Sequence, residues 1–206
     1  LLRERRAAGQ IVLSEREALA VVTAASRGLA EAHRRGIVHR DVKPDNILLT
    51  RRSDGTGLDL PAAKLSDLGL AKVQDTATEG ALTQTNAVLG TPGYMAPEQT
   101  LDARSAGMPA DVFGMGATLY ALLSGQAPFT STSAVGVLFA TVNQPHRPLV
   151  ELRPDLKPEV LEITERCLRK APEERYPGAA EMLDALEKAA LAPAAPALPA
   201  GAQTVL

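Results

Sequence analysis

The stretch His39–Leu49, HRDVKPDNILL, packs a carboxylate (Asp41), an ammonium (Lys43) and an amide oxygen (Asn46) into one short polar run and then turns apolar. Read for chemistry, it offers a candidate catalytic base, a cation and a candidate metal ligand. The plain alternative is a polar turn, with Pro44 breaking a helix and Asp45 and Asn46 bonding to their own backbone. Two later stretches decide between these readings by their order. KLSDLGLA, Lys64–Ala71, brings a second carboxylate at Asp67, and GTPGYMAPEQ, Gly90–Gln99, follows it. A simple turn gives no reason for either.

In that order and spacing, HRD with Asn46 downstream resembles the catalytic loop of a protein kinase, DLG resembles the D-F-G motif, and Ala96-Pro97-Glu98 resembles the A-P-E that closes the activation segment. Leu68 stands where the family usually has an aromatic residue, a change that keeps apolar packing and leaves Asp67 intact. The resemblance implies that Asp41 orients an attacking hydroxyl and accepts its proton. It implies that Asn46 and Asp67 hold Mg2+, a hard cation suited to an amide carbonyl and a carboxylate from separate loops. Lys43 resembles the catalytic-loop lysine of serine/threonine kinases, which neutralises charge on the transferred phosphate. Leu48 would form part of the adenine floor. ATP, Mg2+ and proteins with Ser or Thr acceptors are the ligands this implies.

Other positions take expectations from the same resemblance. Thr83 and Thr85 lie where bacterial eukaryotic-like kinases often autophosphorylate, and a phosphate there would give Arg40 a charge-assisted partner. Thr91 matches a threonine that reaches the catalytic Asp and Lys, its plain alternative being a turn residue. Glu98 is expected to pair with Arg175, a structural role. His39 is expected to pack beneath Leu68 rather than to act in catalysis. Asp111 has two structural readings: a helix cap accepting backbone N–H bonds, or a clamp on the backbone of the catalytic loop.

Local signals outline the elements. Ser14 followed by Glu17 makes a capping box, after which Ala18, Leu19, Val22, Ala25, Leu29 and Ala32 recur at helical spacing until Gly36. Ile47–Leu49 reads as a short strand, Ala63–Ser66 as its partner, and RRSDGTGLDLP as a Gly-rich hairpin insertion. Val112–Leu123 is apolar on nearly all sides and too short to span a bilayer, so it reads as a buried central helix. Further helices are expected over Ser133–Val142, Pro158–Leu168 and Gly178–Ala190, and the Ala/Pro-rich stretch from 191 to 206 reads as a linker or disordered tail.

The chain has 206 residues, enough for one domain with a real core, and a net charge of −2, which with short, mixed Arg clusters gives no nucleic-acid surface. The single cysteine, Cys167, sits in a helical apolar pattern and reads as packing. A reducing cytoplasm suits it, and a parent chain anchored through a membrane segment elsewhere is compatible with that.

The first lysine is Lys43, and nothing before His39 resembles a Gly-rich phosphate loop. The expected fold is therefore α+β: the mainly helical C-terminal lobe of the protein-kinase-like fold, with short β-hairpins at the active site and the N-terminal lobe absent. Residues 1–190 form this partial domain. The chain reads as a fragment whose full-length parent is a serine/threonine kinase, with negligible activity on its own. The alternative is a non-catalytic pseudokinase or partner-docking module, against which the intact Asp41, Lys43, Asn46 and Asp67 argue. Apolar surface near Leu48 and the first helix is expected to be covered by self-association or by an N-terminal lobe in the parent.

Overall fold

Ser14 accepts the backbone N–H of Glu17 at 3.3 Å while the Glu17 carboxylate accepts the backbone N–H of Ser14 at 3.0 Å. This reciprocal cap starts α1, Glu15–Arg34. The computed structural model describes residues 12–67, 92–102 and 106–192. Beyond the end of α1 the chain turns at Gly36, whose φ of 74° lies in the left-handed region open to glycine.

Strand β1, Ile47–Arg51, pairs antiparallel with β2, Leu58–Leu65, placing Ile47 opposite Leu65 and Leu48 opposite Lys64. A shift in register falls between Leu48 and Thr50. Both strands are longer than the sequence signals suggest. The turn itself needs only residues 52–57, because the Asp54 carboxylate accepts the backbone N–H of Thr56 at 2.9 Å and its hydroxyl at 2.6 Å and closes the loop locally. Leu58, Asp59 and Leu60 are thereby freed to join the ladder.

The remaining helices are α2 (Pro97–Leu101), α3 (Met108–Ser124), α4 (Ala134–Asn143), α5 (Leu149–Leu152), α6 (Pro158–Cys167) and α7 (Ala179–Leu191). Every residue of α3 from Ala110 to Leu123 is buried. A helix apolar all round must be covered all round, and α1, α6 and α7 pack against it. Two glycines allow the closest approaches. A Cβ at Gly114 would meet the Val42 carbonyl oxygen at 2.8 Å, and one at Gly116 would meet the Cys167 Cβ at 2.3 Å. Gly114 thus seats the polar loop against the central helix.

The N-cap of α3 is Gly107, and no side chain bonds there. Asp111 therefore does not cap its own helix. It lies inside the first turn, and its carboxylate is turned to other backbone groups.

Arg153 and Lys157 tie the outer helices together. Arg153 donates to the carbonyls of Leu13 at 3.2 Å and Leu123 at 3.0 Å. Lys157 Nζ donates to the Ala189 and Ala192 carbonyls at the end of α7, where a cation also complements the helix dipole. Cys167 is buried, and loss of solvation pushes its thiol up to about 12, which keeps it protonated. Among the described residues no helix is long and apolar enough to cross a membrane.

Candidate active site

Arg40, one residue before Asp41, has φ 64°, a left-handed conformation that costs a non-glycine residue on the order of 1 kcal/mol or more. Such a turn persists only if its surroundings over-determine it. Asp111 does much of this, accepting the backbone N–H of Arg40 at 2.6 Å on one oxygen and that of His39 at 2.8 Å on the other. Asp111 is itself held by His33. Ala179 N–H donates to His33 Nδ1 at 3.1 Å, so Nε2 carries the proton it shares with Asp111 at 2.9 Å. Sequence reasoning missed His33. Its partner lies 78 residues away, and the only local signal is a histidine in the last turn of an otherwise apolar-faced helix.

From this anchored turn the functional side chains converge. Lys43 Nζ lies 3.0 Å from Asp41 Oδ2, with both side chains largely shielded from solvent. Asn46 Nδ2 donates to the Asp41 carbonyl at 2.7 Å and to its Oδ2 at 3.2 Å. With its N–H groups engaged on Asp41, Asn46 keeps its Oδ1 without a hydrogen bond among the described residues. The short helical turn Pro44–Asn46 is started by Pro44 and feeds directly into β1.

The second loop is fastened to the first. Ser66 N–H and Oγ–H both donate to the Asn46 carbonyl, at 2.8 and 3.1 Å. His39, fully buried, accepts the Asp41 N–H on Nδ1 at 3.3 Å and donates from Nε2 to the Ser66 carbonyl at 2.8 Å. Next to Ser66, Asp67 has φ 57° and is exposed, its Oδ2 lying 3.2 Å from the Ser66 hydroxyl as the other acceptor for that one proton. Asp41, Asn46 and Asp67 thus belong to two loops joined by one histidine and one serine. Leu48, on β1, is 56% exposed.

Asn46 Oδ1 and the Asp67 carboxylate are hard oxygen donors, which fits Mg2+, an ion that takes one or two protein ligands and completes its shell with water and phosphate. Among the described residues no group of three or more His, Cys, Asp or Glu side chains could hold a metal by itself.

Further out, the Arg175 guanidinium meets Glu98 in a two-pronged pair at 2.7 and 2.8 Å. Its other N–H groups donate to the carbonyls of Arg169, Pro109 and Lys170. The Arg40 side chain donates from Nε to the Ala106 carbonyl at 3.2 Å. Leu68, Thr83, Thr85 and Thr91 lie outside the described residues, and with them the expected contact of His39 with Leu68.

Residues 2–186 match the model of the protein kinase domain. The chain belongs to the protein kinase family. Among curated proteins, this kinase-family chain is 39% identical over 174 residues to serine/threonine-protein kinase PknA of Mycobacterium tuberculosis, a match covering 84% of the chain and 37% of that protein. It is 36% identical to PknB of Mycolicibacterium smegmatis, covering 82% of the chain and 26% of the relative. It is 38% identical to Pkn1 of Myxococcus xanthus, covering 83% and 24%. The family resemblance read from the motifs, that of a bacterial-type serine/threonine kinase, holds. The chain spans well under half the length of these relatives. Among solved structures, Rad53 1–466 in complex with AMP-PNP superposes with a TM-score of 0.65 at 24% identity, covering 89% of this chain and 42% of that one. The fold is protein-kinase-like, helical with a small two-stranded sheet.

Proposed function

We propose that this kinase-family chain carries the acceptor and metal side of a serine/threonine kinase site. In the full-length protein the substrate hydroxyl oxygen attacks the γ-phosphorus of ATP, the bond from that phosphorus to the β–γ bridging oxygen breaks, and ADP leaves. The hydroxyl proton passes to Asp41. The observation that carries the reading is the convergence of Lys43 Nζ and Asn46 Nδ2 on Asp41 Oδ2, at 3.0 and 3.2 Å. A carboxylate held this way keeps its orientation, as a proton acceptor must.

In this reading Lys43 also faces the transferred phosphate, Asn46 and Asp67 hold Mg2+, and Leu48 lies under the adenine. Bound Mg2+ would supply charge neutralisation on the phosphates. His39, Asp111, Glu98 and Arg175 position these groups without touching substrate. Thr91 would reach Asp41 and Lys43, and Thr83 or Thr85 would take a regulatory phosphate.

Residues 1–190 correspond to the C-terminal lobe, and residues 191–206 to a linker. No lysine precedes Lys43 in the chain, so these residues hold no strand lysine to grip the α- and β-phosphates. Positioning and charge stabilisation supply most of the catalysis in phosphoryl transfer, and the 206-residue chain alone is expected to transfer negligible phosphate.

The test is transfer of radiolabelled phosphate from ATP to a protein substrate by the full-length protein and its Asp41→Asn variant. Loss of roughly two to four orders of magnitude is expected, and equal rates would reject the assignment. Robust autophosphorylation by the isolated chain would reject the second statement.

A further inference from the structure

Asp111 holds only one side of the strained residue. Arg40 has φ 64°, and while its N–H goes to Asp111, its carbonyl oxygen accepts a hydrogen bond from Gln99 Nε2 at 2.9 Å, across 59 residues of sequence. The same side chain accepts the Ala96 N–H on its Oε1 at 3.0 Å. Gln99 is buried, and it stands in the wall of a small pocket beside Asp41, together with Tyr94 and Met95. Its two ends thus join the start of α2, at the first residue of the Ala-Pro-Glu motif, to the carbonyl of the residue preceding Asp41.

We propose that Gln99 is a positioning residue for the transfer reaction. It holds the Arg40–Asp41 peptide plane and thereby sets the direction of the Asp41 carboxylate. The inference rests on the reading of Asp41 given above. The physical argument is one of counting constraints. A left-handed non-glycine residue relaxes toward ordinary backbone angles unless both of its flanking peptide groups are held. Asp111 fixes the peptide before Arg40, and the one after it is held at its carbonyl by Gln99 at 2.9 Å and at its N–H by the longer 3.3 Å contact to His39 Nδ1. Releasing Gln99 removes the shorter of these two restraints and loosens that plane, and Asp41, whose N–H belongs to it, loosens with it. The hydrogen bond from Ala96 gives the clamp its other foothold. Ala96 has no side chain able to cap α2, so Gln99 at the third helical position supplies the only side-chain half of that cap. A shift of α2 is therefore passed to the catalytic loop through one side chain.

Two variants of the full-length protein test this. Gln99→Leu removes both hydrogen bonds. Gln99→Glu keeps the acceptor for Ala96 and loses the donor to Arg40, and it carries the comparison if the leucine variant fails to fold. Both are expected to lower kcat by roughly 10- to 100-fold and to leave the KM for ATP within about twofold. In the same proteins, amide hydrogen exchange should quicken at His39–Val42 and remain unchanged inside α3. A kcat within about twofold of the parent overturns the proposal, as does faster exchange spread evenly over the fold with kcat per folded molecule unchanged. Asp41→Asn is run alongside. If it retains activity, the role of Asp41 is wrong, and the exchange pattern still decides whether Gln99 holds the loop.

Discussion

Arg175 reaches Glu98 with both prongs of its guanidinium and directs its remaining N–H groups to backbone carbonyls, whereas Lys43 reaches Asp41 through one contact at 3.0 Å. The first cation is wholly buried and the second keeps 17% of its side-chain surface. In the Arg175 pair each donor already has a fixed partner, so nothing can enter without breaking it. Lys43 has N–H groups to spare, since Asp41 is its one hydrogen-bond partner among the described residues and an ammonium has three donors. One pair is finished by folding. The other keeps donors that no described residue uses.

The sharpest way to break this contrast is to remove one partner of the closed pair. Glu98→Ala should cost about 3–5 kcal/mol, because it strands a buried guanidinium, and urea unfolding of the chain measures it. A loss under about 1 kcal/mol would place Glu98–Arg175 with ordinary surface pairs. At the open pair the order reverses. Lys43→Met should lower kcat of the full-length protein by roughly 100-fold or more while changing the unfolding free energy by less than about 1 kcal/mol. Loss of stability with kcat preserved would make Lys43 a second structural cation.

The smallest effect concerns Lys170, a cation that caps the Thr141 carbonyl and lies 3.8 Å over the Phe129 ring, with no carboxylate partner among the described residues. Burial, and then the charge of Arg175, push its ammonium down to about 8. The folded chain therefore sheds this proton before the unfolded one does. The folded state gains stability relative to the unfolded as pH rises from about 8 toward the ordinary lysine value. Wild type should gain on Lys170→Met over that interval in paired unfolding curves. Parallel curves would show that the cation is not strained by its surroundings.

The elements that were legible are those whose cause is local. Ser14 and Glu17 announce the start of α1 because both halves of the cap lie within one turn, and the unbroken apolar run of α3 announces a buried helix because nothing else could cover it. The Asp41–Asn46 loop was legible because its residues meet within one turn of chain. Partners joined only by folding left no such mark. Nothing local marks His33 or Gln99, since their partners Asp111 and Arg40 lie 78 and 59 residues from them. Asp111 carries two readings in the sequence, a cap near a helix start and a clamp on the loop backbone, and the fold selects the clamp by turning its carboxylate to the N–H groups of His39 and Arg40. The short α5, Leu149–Leu152, is too brief for a periodic signal. Gly114 and Gly116 stand inside the helical run, and what approaches them, the Val42 carbonyl and Cys167, shows only in the fold.

The buried ring of His39 has a mechanical consequence. With Nδ1 on the Asp41 amide and Nε2 on the Ser66 carbonyl, it acts as a strut between the catalytic loop and the residue before Asp67. Jitter in one loop is passed to the other, so the two carboxylates move together and their separation varies less than either position does. The gauge of the site is then cut when the chain folds, and a ligand that bridges the two loops need not spend binding energy on setting it.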